Sequence, residues 1–280
     1  MGEAPELLCP EGYAAMALRT PTIPPAEHTA CYVIGHEAAL VVDPGSPYDG
    51  ELEKLLDGLI YPLRGSGGAV RGVFLTHHHP DHVGGVSQVA RALDAPVLAH
   101  AETLARVELD GLQSEVVTDG ARFAPDAGRE VVAVHTPGHA PGHLSLFEAS
   151  ARVLVGGDMV PGIGTTVVNP PEGNMSEYIA GLERLAALDP EWVLPAHGPT
   201  FRDGRAKIEA LVDHRLQREA KVLAALDAEQ PRELMKITAA AYPEVSPLLY
   251  GLASRSTLAH LEKLERDGAA QRTGDDWLRR

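Results

Sequence analysis

Four histidines and an aspartate fall within six residues at His77-His78-His79-Pro80-Asp81-His82, and His77, His79, Asp81 and His82 form an H-x-H-x-D-H arrangement. Histidine is the commonest metal ligand, and imidazoles beside a carboxylate suit a borderline divalent cation such as zinc. Side chains alternate along an extended segment, so His77 and His79 share one side and can hold one ion together. His78 faces away and reads as a structural neighbour of the ligands. Asp81 and His82 follow Pro80, where the chain turns, and can reach a second ion. One hexapeptide can therefore begin two metal sites, which need about three more ligands from elsewhere.

Three further candidates each follow an apolar run and sit in a turn rich in Gly or Pro. His139 lies in Thr136-Pro137-Gly138-His139, Asp158 in Val155-Gly156-Gly157-Asp158, and His197 in Leu194-Pro195-Ala196-His197-Gly198. Loops at strand ends concentrate site residues because a rigid sheet positions them. Glycine beside a ligand lets the backbone come close to the metal. Asp43, at the end of another apolar run before Pro44-Gly45, is suited to hold a ligand imidazole from behind. His143, four residues after His139, has two readings, a substrate contact or a cap on the next strand. Thr165 and Thr166 either line the substrate entrance or pack their loop. His28, His36, His100, His135 and His260 carry no supporting motif and read as structural or exposed.

The elements that must position these residues are short. Strands are expected at 30–34, 39–42, 72–76, 97–99, 130–134, 144–147, 152–155 and 192–194. Helices are expected at 51–63, from Val83 to Leu93 beginning beside His82, and from a Ser176 cap to Leu188. Residues 160–174 hold too much Pro and Gly for a regular element and read as an ordered surface loop. The mixture is α/β, with two sheets or one split sheet and helices outside. Near residue 204 the texture changes to helices at 205–227, 232–241 and 247–267, then a hairpin turning at Gly274-Asp275. Residues 1–204 are thus expected to form the catalytic domain and 205–280 a small winged-helix-like domain. Leu248, Leu252, Leu258, Leu261 and Leu264 are expected to fill the core of the second.

Composition limits the function. The 280 residues carry a net charge of -15, with 44% hydrophobic and 22% charged side chains, as in an ordinary globular protein. Residues 205–280 hold thirteen basic and twelve acidic side chains, so the deficit lies in the first 204. Nonspecific polyanion binding is disfavoured, and so is duplex DNA through helix 247–267, whose Arg255, Lys263 and Arg266 are matched by Glu262, Glu265 and Asp267. No run approaches a membrane span. The acidic start Met1-Gly2-Glu3 lacks a secretory pattern, and Cys9 and Cys31 form no motif, so a cytoplasmic protein with reduced thiols is expected.

With these motifs in order, the chain resembles the metallo-β-lactamase superfamily. The likeness rests on Asp43-Pro44-Gly45, the H-x-H-x-D-H cluster and the His139, Asp158 and His197 motifs, and covers roughly residues 15–200. It implies an αββα sandwich with metals at one edge of two facing sheets. It assigns His77, His79 and His139 to the first metal, Asp81, His82 and His197 to the second, and Asp158 as the bridge. Aspartate at 158, where many true β-lactamases have cysteine or no matching ligand, points away from antibiotic hydrolysis. The 38 residues between Asp158 and His197 leave no room for the inserted domain of β-CASP nucleases.

More narrowly, the chain resembles the β-lactamase-like protein 2 group, which includes a mitochondrial single-strand endoribonuclease. That likeness rests on Gly164-Thr165-Thr166-Val167, on Pro195-Ala196-His197-Gly198-Pro199, and on His214-Arg215 with Arg218-Glu219. The resemblance implies a dinuclear hydrolase using a metal-bound hydroxide that Asp81 orients and whose proton it shuttles. The metals would be two divalent ions, zinc first and manganese or iron as substitutes. Single-stranded RNA is the first expected substrate. A small acyl substrate, cleaved as in the glyoxalase II and thioesterase branches, is the alternative, and a non-enzymatic winged-helix regulator is a third. The C-terminal unit is expected to wall the active-site cleft or to form a homodimer contact. A basic groove leading to the metals would favour RNA, and an apolar pocket an acyl group.

Overall fold

The computed structural model describes residues 7–280, so the acidic first six residues lie outside the described residues. The first sheet runs in chain order through β1 (Tyr13–Arg19), β2 (His28–Ile34), β3 (Ala39–Val42), β4 (Val70–Phe74), β5 (Val97–Ala99) and β6 (Ser114–Val116). The second contains β7 (Arg122–Asp126), β8 (Arg129–His135), β9 (Leu144–Glu148), β10 (Val153–Gly157), β11 (Trp192–Pro195) and β12 (Phe201–Arg202), also as neighbours in sequence order. β3, β4, β5 and β6 are parallel, as are β10 and β11, so their connections cross over outside the sheets.

Alternation along the strands builds the layers. Tyr32, Ile34, Leu40, Val42 and Phe74 face the second sheet and meet Val131, Ala133, Leu144, Leu146 and Val155. Their neighbours Cys31, Val33, Val41 and Val73 face outward against Leu52, Leu55, Ile60 and Val89 of the covering helices. On the far side, Val134, Phe147, Leu154 and Val193 meet Tyr178, Leu182 and Leu185 of the helix Met175–Ala187. The result is the four-layer αββα sandwich, and both sheets are buried on two faces. The Tyr32 hydroxyl donates to Pro195 O at 2.7 Å and so pins β2 to the end of β11, two residues before His197.

Three local expectations need correction. The helix expected from Val83 to Leu93 is broken: one turn spans Pro80–Val83 and includes Asp81 and His82, and a second helix runs Val86–Leu93. The break is the Gly84-Gly85 pair, which packs beneath the Asp43-Pro44-Gly45 turn. A Cβ on Gly85 would lie 2.6 Å from Pro44 O, and one on Gly45 only 1.8 Å from Asp81 O. The helix expected to start at a Ser176 cap instead has Asn174 as its cap, whose Oδ1 accepts from the backbone N–H groups of Ser176 and Glu177. Leu248 is 94% exposed and belongs to no core.

The helix Gly204–Ala224 serves both halves of the chain: Ile208 packs with the Met175–Ala187 helix, and Val222 belongs to a separate cluster around Trp277. That cluster is closed by helices Leu234–Ala241 and Tyr250–Arg266 and by a small sheet of β13 (Arg232–Glu233), β14 (Ala270–Thr273) and β15 (Asp276–Arg279). Helix Tyr250–Arg266 is covered rather than presented. Lys263 pairs with Glu219 and Asp267, and Arg266 donates to Asn174 Oδ1 at 2.9 Å.

Candidate metal centre

All seven residues assigned as ligands converge at one edge of the sandwich. His77 and His79 leave the end of β4, Asp81 and His82 ride the single turn after it, His139 follows β8, Asp158 follows β10 and His197 follows β11. His77 Nε2, His79 Nδ1 and His139 Nε2 form a triangle with sides of 2.9, 2.9 and 3.2 Å. Asp158 Oδ2 lies 3.3 Å from His139 Nε2, while its Oδ1 lies 3.3 Å from His82 Nε2 and 3.2 Å from His197 Nε2. Asp81 Oδ2 completes the second group at 3.4 Å from His197 Nε2. Asp158 thus offers one oxygen to each group.

The hydrogen bonds behind the rings fix which nitrogens face inward. Thr76 Oγ1 donates to Asp43 Oδ2 at 2.6 Å, so it can only accept from His77 Nδ1, 3.0 Å away. His82 Nδ1 donates to Asp43 Oδ2 at 2.8 Å, His139 Nδ1 to Val167 O at 2.9 Å, and His197 Nδ1 to His28 O at 3.0 Å. With the Nδ1 protons committed outward, the inward Nε2 of each ring carries the lone pair whenever that ring is neutral. His79 is reversed, with Nε2 3.6 Å from Glu172 Oε2 and Nδ1 inward. Lone pairs crowded together repel unless a positive centre lies among them. His82 Nε2 and Asp158 Oδ1 are also buried without any hydrogen-bond partner. Both observations fit two divalent cations, one in a nitrogen-rich group and one in a mixed nitrogen and oxygen group.

Electrostatics agree. Burial, then the neighbouring rings of His82, His79 and His139, hold His77 well below the ordinary imidazole value, and burial with the rings around it lowers His79 to about 4. Burial opposes charge on His82 and His197 too, yet carboxylates prevail. Asp158, Asp43 and Asp81 raise His82 well above its usual value, and Asp158 with Asp81 brings His197 to about 10. Against its own burial, Asp81 is held at about 2 by His82 and His197 and is ionised at neutral pH. The second group therefore demands positive charge.

The supporting residues take different places around the centre. Asp43, only 2% exposed and in the left-handed region at φ 50°, holds His82 and both the N–H and hydroxyl of Thr76. His143 is fully buried. Its Nε2 accepts from the Asp158 N–H at 3.1 Å and its Nδ1 donates to Thr136 Oγ1 at 2.9 Å, which positions Asp158 from behind. Gly157, at φ 53°, admits this approach, since a Cβ there would lie 2.4 Å from His143 Nε2. Thr166 is buried and donates to Asp158 O at 2.7 Å, so it packs the loop, whereas Thr165 is exposed on a cavity wall. His78 is held by Glu172 at 2.7 Å. Sequence reasoning missed Glu172 and Thr76; Glu172 lies in the Pro/Gly-rich loop with no periodic signal, and Thr76 was legible only as a strand residue. Cys9 and Cys31 are free, and burial pushes their thiols up, Cys9 to about 11.

A cavity of about 570 Å³ opens onto His79, Asp81, His139, Asp158 and His197. Its far walls come from the segment 21–26, the loop 163–167 and the C-terminal helices, with Ile23, Pro24, Ile163, Val245, Leu249 and Leu252 among the lining side chains. The C-terminal unit thus walls the cleft.

Residues 24–197 match the model of the Metallo-beta-lactamase superfamily, and residues 234–277 that of the Beta-lactamase associated winged helix domain. Proteins named Beta-lactamase-like protein 2 homolog from Caenorhabditis elegans and Drosophila melanogaster are 27% and 28% identical, over 87% and 86% of this chain and 80% and 83% of their own. An atrochrysone carboxyl ACP thioesterase of Aspergillus fumigatus is 34% identical over 55% of this chain and 46% of its own length. The crystal structure of a metallo-beta-lactamase family protein from Thermus thermophilus superposes with a TM-score of 0.77 at 24% identity, covering 96% of this chain and 99% of that one. Another, solved in a di-iron-bound form, is 27% identical with a TM-score of 0.53, covering 66% of this chain and 95% of its own.

Proposed function

Since the chain belongs to the metallo-beta-lactamase superfamily and is a hydrolase of that fold, we propose that it cleaves esters or thioesters with an apolar acyl part. The observation that carries this reading is the cavity between the metal centre and the C-terminal helices, whose walls are largely aliphatic and proline. An acyl chain lying there removes apolar surface from water at roughly 25 cal/mol per Å². The resemblance to a protein named as an ACP thioesterase supports the same chemistry.

Two divalent ions, zinc by preference, would supply Lewis acidity and bring the pKa of water to about 7. His77, His79 and His139 would hold one, Asp81, His82 and His197 the other, and Asp158 would span both. Asp81, ionised and facing the cavity, accepts the proton of the attacking water and returns it to the leaving group. Asp43 and Thr76 keep the His82 and His77 rings oriented, and His143 and Thr166 fix the Asp158 backbone. The aliphatic walls exclude bulk water from the acyl side.

Cleavage of single-stranded RNA is the second reading, favoured by His214, Arg215, Arg218 and Arg255 on the C-terminal wall. Parallel assays of metal-loaded protein on acyl thioesters of increasing length, a lactone, a cephalosporin and a single-stranded RNA separate the two. Thioester turnover that rises with acyl length and is abolished by Asp81→Asn is expected. RNA cleavage without thioester turnover would overturn the acyl reading, provided His79→Ala removes it; persistence in that variant would mark a contaminating nuclease.

A further inference from the structure

Arg215 is 2% exposed on the helix Gly204–Ala224. One terminal nitrogen donates to Thr165 Oγ1 at 2.8 Å and to Thr166 O at 2.7 Å, and the guanidinium lies 5.1 Å from the centre of the Tyr178 ring. Its Nε is buried without a partner, and among the described residues it has no acidic counterion. Its neighbours are treated differently. Arg218 pairs with Glu244 at 2.5 Å, and Lys263 pairs with Glu219 at 2.9 Å. A buried cation lacking an anion is costly unless something else compensates it.

Arg215 lines the cavity that reaches the metal centre, and so does Arg255, which is exposed and makes no hydrogen bond or ion pair among the described residues. His214 lies on the same wall. Its own burial, followed by the charges of Arg215, Arg218, His260 and Lys221, holds its imidazole below the ordinary value. In a chain of net charge -15 this wall is a local reversal of sign facing a cavity.

We propose that this wall is an anion subsite, in which Arg215 and Arg255 bind a carboxylate or phosphate that the substrate carries away from its scissile bond. The inference rests on the ester and thioester reading above and narrows it to acyl substrates with a distal anion. The guanidinium fork suits both anions, whose oxygens it meets in pairs. Ile23, Pro24 and Leu252 then hold the apolar stretch between that anion and the metal centre.

Uncleavable thioethers read binding independently of turnover. Calorimetry on the full, metal-loaded chain would compare S-octyl-N-acetylcysteamine, which is neutral, with S-octyl-4′-phosphopantetheine and with S-(ω-carboxyoctyl)-N-acetylcysteamine. One anionic thioether is expected to bind roughly tenfold or more tightly than the neutral one at low salt. Which one does so tells whether the anion belongs to the thiol side, as phosphate, or to the acyl side, as carboxylate. Arg255→Gln should bring that thioether down to the affinity of the neutral one. Arg215→Gln should do the same with a lower melting temperature, because it also releases Thr165 and Thr166. Three thioethers bound alike, or an advantage that survives Arg255→Gln, would overturn the subsite. Failure of thioester hydrolysis with the anionic preference intact would instead count against the acyl reading alone.

Discussion

Replacing Asp43 by Asn changes one oxygen to nitrogen and tests how the second donor group is built. The carboxylate accepts from Thr76 N–H at 2.8 Å, Thr76 Oγ1 at 2.6 Å and His82 Nδ1 at 2.8 Å. An amide has one acceptor oxygen and presents two N–H groups in place of the other. With that oxygen kept on the Thr76 N–H, the amide nitrogen faces His82, whose ring must move its proton from Nδ1 to Nε2. The Nε2 lone pair, 3.3 Å from Asp158 Oδ1, is then lost to the cation. Removal of such an outer partner costs about 10–100-fold in metal affinity, or about 1.4–2.7 kcal/mol. Loss of the charge-assisted bonds costs a further ~1.5–3 kcal/mol in apo-protein stability. Zinc titration against a chromophoric chelator reads the first quantity, and urea unfolding of the apo-protein the second. The affinity loss should be confined to one of two equivalents. Protein that unfolds more easily yet binds both equivalents with wild-type affinity would refute the tautomer argument.

Thr76→Val keeps the side-chain shape but strips His77 Nδ1 of its acceptor, so the first equivalent should weaken by about tenfold in the same titration. Tyr32→Phe removes the bond to Pro195 O and leaves that carbonyl buried, which should lower stability by about 1–3 kcal/mol in urea unfolding. Acid should loosen the C-terminal unit in two steps, read by Trp277 fluorescence. Burial, opposed by Glu219, keeps His260 below its usual value, so protonation in the unfolded chain costs stability as pH falls below about 6.5. Glu219 is lowered against its own burial by His260 and Lys263, so its contribution is present above about pH 4.5 and is lost as pH falls through its folded value. Glu219→Gln should flatten the lower step; an unchanged profile would contradict it.

The residues that gather at the candidate centre were legible because their signal is local. His77 to His82 and the turns around His139, Asp158 and His197 combine ligand types with Gly or Pro at strand ends, and the sandwich needs only to gather those ends. The strand Tyr13–Arg19 was not legible, since its sequence YAAMALR has weak strand preference and acquires its pattern from pairing with β2. The cap is Asn174 rather than Ser176 because the helix already begins at Met175, whose side chain is buried in the core. Glu172, Thr76 and Arg215 act through tertiary contacts that no spacing rule encodes, such as Arg215 reaching Thr166. The cavity is the least legible feature, because its walls come from residues 21–26, 163–167 and the C-terminal helices together.

The central claim is a two-part donor centre spanned by Asp158, and metal stoichiometry by elemental analysis after zinc loading and desalting tests it most directly. Two equivalents are expected for the wild-type chain, about one each for His79→Ala and His197→Ala, and less than one for Asp158→Ala. A wild-type chain saturating at one equivalent, or an Asp158→Ala variant that still holds two, would contradict it.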